Sequence, residues 1–129
     1  MSKQNMNLTP AEWSVMECLW ARSPLTGREI AKQMHERCGW SRSTTLTLLS
    51  RIEAKGAISA DSETGIKTFN PLICREDIAL QETEDFLDRI YQGSLSLMVS
   101  SLTRKQSLSQ SEIDELYAIL EEMEENKDV

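Results

Sequence analysis

The 129-residue sequence lacks several things that would have decided its class at once. It has no apolar run approaching the roughly 20 residues that a membrane-spanning helix needs. Its first residues, Met1-Ser2-Lys3-Gln4-Asn5, carry neither the apolar stretch nor the small-residue cleavage site of a secretory leader, so a cytoplasmic protein is expected. Histidine is nearly absent: the one copy, His35, sits beside Glu36 and Arg37 and reads as surface filler. With no nucleophile and base in register and no glycine-rich phosphate loop, the sequence gives no basis for an enzyme, and no cofactor is expected. Three cysteines, Cys18, Cys38 and Cys74, are too few and too widely spaced for a metal site or a disulfide framework. They read as small buried hydrophobes, with no metal expected.

What is present is an uneven distribution of charge. The net charge is -7, which by itself argues against a polyanion as partner. Residues 1 to 71, however, hold nine Lys+Arg against seven Asp+Glu, a balance of +2, whereas residues 72 to 129 hold five against fourteen, a balance of -9. The acidity belongs to one half, so the other is free to approach phosphates.

The helix signals follow this division. Thr9-Pro10-Ala11-Glu12 is a capping box with proline in the first turn, and it opens a helix running to about Arg22. Trp13, Met16 and Trp20, widened by Val15 and Leu19, form its inner stripe. A second box, Thr26 to Glu29, opens a helix that buries Ile30, Ala31 and Met34 and stops at Gly39. Ser41 caps a third, which ends near Lys55 because Gly56 accepts the left-handed position after a helix. Residues 57–62 and 66–71 then read as two strands around the turn Glu63-Thr64-Gly65. The fold expected is mainly α with a small β-hairpin: a winged helix-turn-helix head over 1–72, followed by a helical dimerisation arm over 73–129. The arm begins with a helix from Arg75 to Gln92 stopped by Gly93 and continues through the apolar segment Leu95 to Val99. Ser109 to Glu112 is a further capping box, opening a last helix whose end, from Glu124 to Val129, is expected to fray.

The third helix carries the functional signal. Thr45, Leu48, Leu49 and Ile52 recur at the spacing of one buried stripe, which forces Ser43, Thr47, Ser50 and Ala54 to the opposite face, flanked by Leu46 and Arg51. Short polar side chains let a helix backbone approach the major groove, where hydroxyls meet base edges and a threonine methyl meets the thymine methyl. Arg42, Arg51 and Lys55, with Lys67 from the hairpin, are placed to reach phosphates. Ser43, Thr44, Leu46, Thr47 and Ser50 complete the expected contact set on double-stranded DNA. A winged-helix module that binds protein and never DNA is the alternative that the acidic total favours, and control by a small-molecule effector is a second.

Each arm helix has an apolar stripe too narrow to be buried within one small subunit. Leaving Leu95, Leu97, Met98 and Val99 in water costs roughly 25 cal/mol per Å² of apolar surface. Pairing with a second copy removes that cost, and Phe86, Ile90, Leu95, Met98, Leu102, Ile113, Leu116 and Leu120 are the expected dimer contacts. A two-fold homodimer sets two heads on half-sites about a helical turn or a multiple of it apart, so a palindromic operator is expected.

Three stretches carry a family resemblance. Leu8-Thr9-Pro10-Ala11-Glu12-Trp13-Ser14-Val15-Met16, then Trp40 to Ile52 followed by Lys55-Gly56, and Leu108 to Leu116 in the tail are similar to the penicillinase-repressor family, in matching order over residues 8 to 123. That family includes the β-lactamase, methicillin-resistance and copper-transport repressors. The resemblance implies a dimeric repressor covering a promoter palindrome. In the antibiotic branch it also implies inactivation through a membrane sensor-protease system that cuts an Asn-Phe bond in the arm; Ser101-Leu102 occupies that place here. The copper branch binds metal through C-terminal C-x-C pairs, which this tail does not have. Leu46 stands where antibiotic-branch relatives tend to carry a basic residue.

Overall fold

The computed structural model describes residues 6–127. The expectations placed on Met1 to Asn5 and on Asp128 and Val129 lie outside those residues. The elements are α1 (Pro10–Ala21), β1 (Leu25–Thr26), α2 (Gly27–Cys38), α3 (Arg42–Ala54), β2 (Ile58–Asp61), β3 (Thr68–Pro71), α4 (Arg75–Tyr91), α5 (Leu95–Thr103) and α6 (Gln110–Lys127). The chain divides into two compact units, Met1–Thr83 and Glu84–Val129. The sequence places the division ahead of α4; the compact units instead separate inside α4, because its first turns are anchored to the first unit. Ile78 is fully buried, and the Gln81 amide donates to the Met6 carbonyl (3.2 Å) while accepting from the Met6 N–H (3.3 Å).

The first unit is a three-helix core closed by a small sheet. The capping boxes at Thr9 and Thr26 form as expected, each with both reciprocal hydrogen bonds, so the helices start where side chains satisfy the orphan amides. Gly39 ends α2 in the left-handed conformation (φ 72°), where only glycine is free of a Cβ penalty. Val15, Met16, Leu19, Ile30, Met34, Leu48, Leu49 and Ile52 make one core with Leu25, Ile58, Phe69 and Ile78. Trp13 and Trp20 are half-buried at its margin with their rings edge to face at 5.0 Å, and Trp20 Nε1 donates to the Ile73 carbonyl (2.9 Å).

The sheet contains a strand that sequence patterning misses. β1 pairs antiparallel with β3 (Leu25 with Phe69, Thr26 with Thr68), and β3 pairs antiparallel with β2 from Thr68–Asp61 to Pro71–Ile58, giving the order β1-β3-β2. Pro71 is tolerated in the central strand because β1 reaches only as far as Phe69, so its missing N–H has no partner to disappoint.

Two of the three cysteines depart from expectation. Cys18 is buried, and burial pushes its thiol pKa up. Cys38 and Cys74 are exposed, because each sits at an element end: Cys38 in the last turn of α2, and Cys74 just before α4.

In the second unit, the apolar segment after Gly93 is helical throughout, as α5, with Ser94 as its N-cap. Ser109 caps α6, its Oγ accepting from the Glu112 N–H at 3.1 Å. α6 continues through Glu124 to Lys127, so those residues extend the helix instead of fraying. The Tyr91 hydroxyl donates to Ser101 Oγ (3.2 Å), and the Phe86 and Tyr91 rings meet edge to face at 6.0 Å.

Candidate nucleic-acid interface

The reading surface is fixed by what lies beneath it. Thr45, Leu48, Leu49 and Ile52 are all buried, and Ser43, Thr47, Ser50 and Ala54 are all exposed. At 100° per residue this places Ser43, Thr47 and Ala54 on the outward face of α3. Ser41 organises the start of the helix: its Oγ accepts from the Thr44 N–H (3.2 Å) and donates to Thr44 Oγ1 (3.0 Å). Thr45 carries the one irregularity, a buried Oγ1 with no hydrogen-bond partner.

The two flanks of α3 have different neighbours. On one, Arg42, Leu46 and Ser50 line a shallow groove of about 370 Å³ with Glu53, Lys67, Ile66, Phe69 and the start of α2, Thr26 to Arg28. Lys67 Nζ lies over the Phe69 ring, 5.4 Å from its centroid, a cation–π contact at the edge of that groove's lining. The structure therefore brings four of the expected contact residues, Arg42, Leu46, Ser50 and Lys67, to one concavity. Ser43, Thr44, Thr47 and Arg51 are exposed on the helix outside it.

Lys55 is not brought there. It lies on the opposite flank, where Nζ donates to Glu12 Oε1 (2.5 Å) and to the Asn7 carbonyl (2.6 Å). Glu12 is almost completely buried. Burial pushes its carboxyl pKa up, but the hydrogen bonds from Lys55 and from the Thr9 N–H, with the charge of Lys55, outweigh that and hold it below 4.5. Lys55 thus neutralises a buried carboxylate and ties the end of α3 to the start of α1, a task that sequence spacing does not reveal because its partner is distant along the chain.

Sequence reasoning also missed the basic side chains of α2. Arg28 and Lys32 are exposed one turn apart, and together with His35, Ala31 and Arg42 they line a second crevice of about 310 Å³. The signal was available: once Ile30, Ala31 and Met34 are assigned inward, positions 28, 32 and 35 share the opposite side.

Among the described residues no group of His, Cys, Asp and Glu is arranged to hold a metal ion, and no helix is long and apolar enough to cross a membrane.

Comparison with known proteins gives this geometry a lineage. Residues 8–122 match the family model described as Penicillinase repressor. A penicillinase repressor from Bacillus licheniformis is 34% identical over 125 residues, covering 97% of this chain and 98% of the relative. The methicillin resistance regulatory protein MecI of Mammaliicoccus sciuri is 29% identical, covering 93% and 98%. Among solved structures, the monomeric form of B. licheniformis BlaI in complex with the blaP half-operator superposes with a TM-score of 0.51 at 29% identity, covering 56% of this chain and 88% of that one. The DNA-binding domain of the repressor BlaI gives 0.50 at 28%, covering 59% and 90%. The helix, strand and wing order of the first unit is thus a winged helix-turn-helix, and the chain belongs to the penicillinase repressor family.

Proposed function

We propose that this protein is a DNA-binding transcriptional repressor that covers a palindromic operator as a homodimer. The observation that carries the reading is the exposed Ser43/Thr47 face of α3, backed by four buried side chains and flanked by cations. A helix so presented fits the major groove, where hydroxyl and methyl groups read base edges and arginines hold phosphates. Ser43, Thr44, Leu46, Thr47 and Ser50 form the base-facing set; Arg42, Arg51 and Lys67 serve the backbone. The relative solved with a half-operator superposes on this part of the chain, which supports the assignment.

The dimer follows from the second unit. None of its described residues is buried, and Phe86, Ile90, Leu95, Leu102, Leu116 and Leu120 are exposed, with Met98 and Ile113 half-buried. A second copy is the partner that can cover such faces symmetrically. A cut between Ser101 and Leu102, in the last turns of α5, would separate α6 from α4 and release the operator. This is the point at which a membrane sensor-protease system would act.

Selection of bound sequences from a randomised duplex pool tests the reading. The expected product is an inverted repeat with half-sites about a helical turn or a multiple of it apart. Thr47→Ala should relax preference within each half-site while leaving the salt dependence of binding unchanged. Recovery of no sequence above background at low salt would overturn the function, and a Thr47→Ala profile identical to wild type would overturn the placement of the reading face.

A further inference from the structure

We propose that Glu17 and Arg75 form a positioning clamp: their ion pair fixes the first turns of α4 against α1 and, through that helix, fixes the half-site spacing that the dimer accepts. The proposal rests on the dimeric reading above and adds to it residues outside the DNA-contacting set.

Three observations carry it. First, the contact is two-pronged. Arg75, the first residue of α4, donates from Nε to Glu17 Oε1 (3.0 Å) and from Nη2 to Glu17 Oε2 (2.9 Å). A guanidinium fork matched to a carboxylate fixes direction as well as distance. Second, both partners are braced from behind. Trp13 Nε1 donates to Glu17 Oε2 (2.8 Å), so a carboxylate that swings away from Arg75 loses this bond too. The Arg75 guanidinium lies over the Trp13 ring, 5.5 Å from its centroid, within reach of a cation–π attraction. Trp13 is in turn backed edge to face by Trp20, whose Nε1 donates to the Ile73 carbonyl just ahead of α4. Third, the clamp completes the seating of α4. Ile78 is fully buried, and Gln81 exchanges hydrogen bonds with Met6. A buried apolar knob such as Ile78 resists withdrawal but tolerates rotation about itself, because apolar burial has no direction. A directional contact one turn away removes that freedom.

The consequence follows from leverage. α4 is one helix of 17 residues, about 25 Å long at roughly 1.5 Å per residue. A tilt of about 10° at its start carries its far end about 4 Å, more than the roughly 3.4 Å between successive base pairs. The Glu17 and Arg75 side chains keep 34% and 49% of their surface in water, and a pair so exposed adds little to stability. Its loss therefore leaves the head folded and the reading face intact, while the separation of the two heads in a dimer is no longer fixed.

The test compares full-length wild type with Arg75→Ala, Glu17→Gln and Arg89→Ala by fluorescence anisotropy. The duplexes are one isolated half-site and a series of operators whose half-sites stand at the selected spacing or one or two base pairs nearer or farther. Wild type should lose affinity steeply as the spacing departs from the selected one. Both clamp variants should bind the isolated half-site as wild type does and give a flatter spacing profile. On the operator of selected spacing they should lose about tenfold, because the second head is no longer held in place for its half-site. Arg89→Ala removes the same charge from the last turn of the same helix and should keep the wild-type profile. A profile as steep as wild type in either clamp variant, a loss of half-site affinity in either, or equal flattening in Arg89→Ala would overturn the proposal. Circular dichroism checks folding, and Glu17→Gln, which keeps an oxygen for the Trp13 N–H, decides the matter if Arg75→Ala proves unfolded. A wild type that binds two half-sites no more tightly than one would instead overturn the dimeric reading, and the proposal with it.

Discussion

The head and the tail are built from the same local materials, capped helices with an apolar stripe, yet they end in opposite conditions. In the head the stripes of α1, α2 and α3 meet, and Val15, Met16, Leu19, Ile30, Met34 and Ile52 lose all contact with water. In the tail, residues 84–127, no side chain reaches that state, and Leu95, Leu102, Tyr117, Ile119, Leu120 and Met123 each keep half or more of their surface exposed. Helical periodicity therefore says which side of a helix is apolar; whether the covering partner lies in the same chain depends on how many stripes the chain can bring together. Three helices and a sheet suffice for the head, and the tail's helices do not enclose a core by themselves.

The largest effect that would break this comparison comes from separating the two parts. A fragment ending at Thr83 should remain a folded monomer with a cooperative melt. The 84–129 fragment should be either unfolded at low concentration or oligomeric, as read by sedimentation and circular dichroism. A folded monomeric tail would show that it needs no partner. Next in size, Ile52→Ala empties a fully buried position in α3 and should cost about 2–5 kcal/mol of head stability. Leu120→Ala in the tail should leave the head's melting unchanged and weaken self-association instead.

Smaller effects sharpen the picture within the head. Lys55→Ala leaves the Glu12 carboxylate buried without its cation and should cost about 1–3 kcal/mol, the lower end applying because Lys55 is itself partly exposed. The same carboxylates set an acid limit. Glu12 is held below 4.5 because its hydrogen bonds and Lys55 outweigh its burial, and Glu17 because Arg75 binds it in two-pronged fashion at 2.9 and 3.0 Å. The unfolded chain therefore binds protons first as pH falls, so the stability these groups supply is complete above about pH 4.5 and drains away below it. Glu12→Gln/Glu17→Gln should flatten the dependence of the melting temperature on pH across that range. Smallest of all, Thr45→Val replaces a buried hydroxyl that has no partner by a methyl of similar shape and should stabilise the head by about 1 kcal/mol.

Much of this was legible in the sequence because it is local. The capping boxes at Thr9 and Thr26, the stop at Gly39 and the stripe from Thr45 to Ile52 depend on residues within a turn or two of one another, and all are present. What escaped depends on distant partners. Leu25 and Thr26 have no strand signature of their own and become β1 only because Phe69 and Thr68 lie alongside. Lys55 looks like a phosphate ligand until Glu12 is found beneath it. Cys38 and Cys74 share the residue type of Cys18 but stand at element ends, where composition is a poor guide to burial. Arg28 and Lys32 were visible as a helical pair, yet the crevice that they line with Arg42 exists only once α3 is packed alongside.

Thr26 belongs to two structures at once: it is the last residue of β1, paired with Thr68 at the root of the wing, and it is the N-cap of α2. The root of the wing and the start of the helix pair are thereby joined through one short strand, so that on the proposed binding mode both would reach a duplex with their spacing already set. Little conformational freedom then has to be frozen on contact. On the binding mode proposed above, a duplex whose groove width departs from that spacing would bind less well even with every base unchanged.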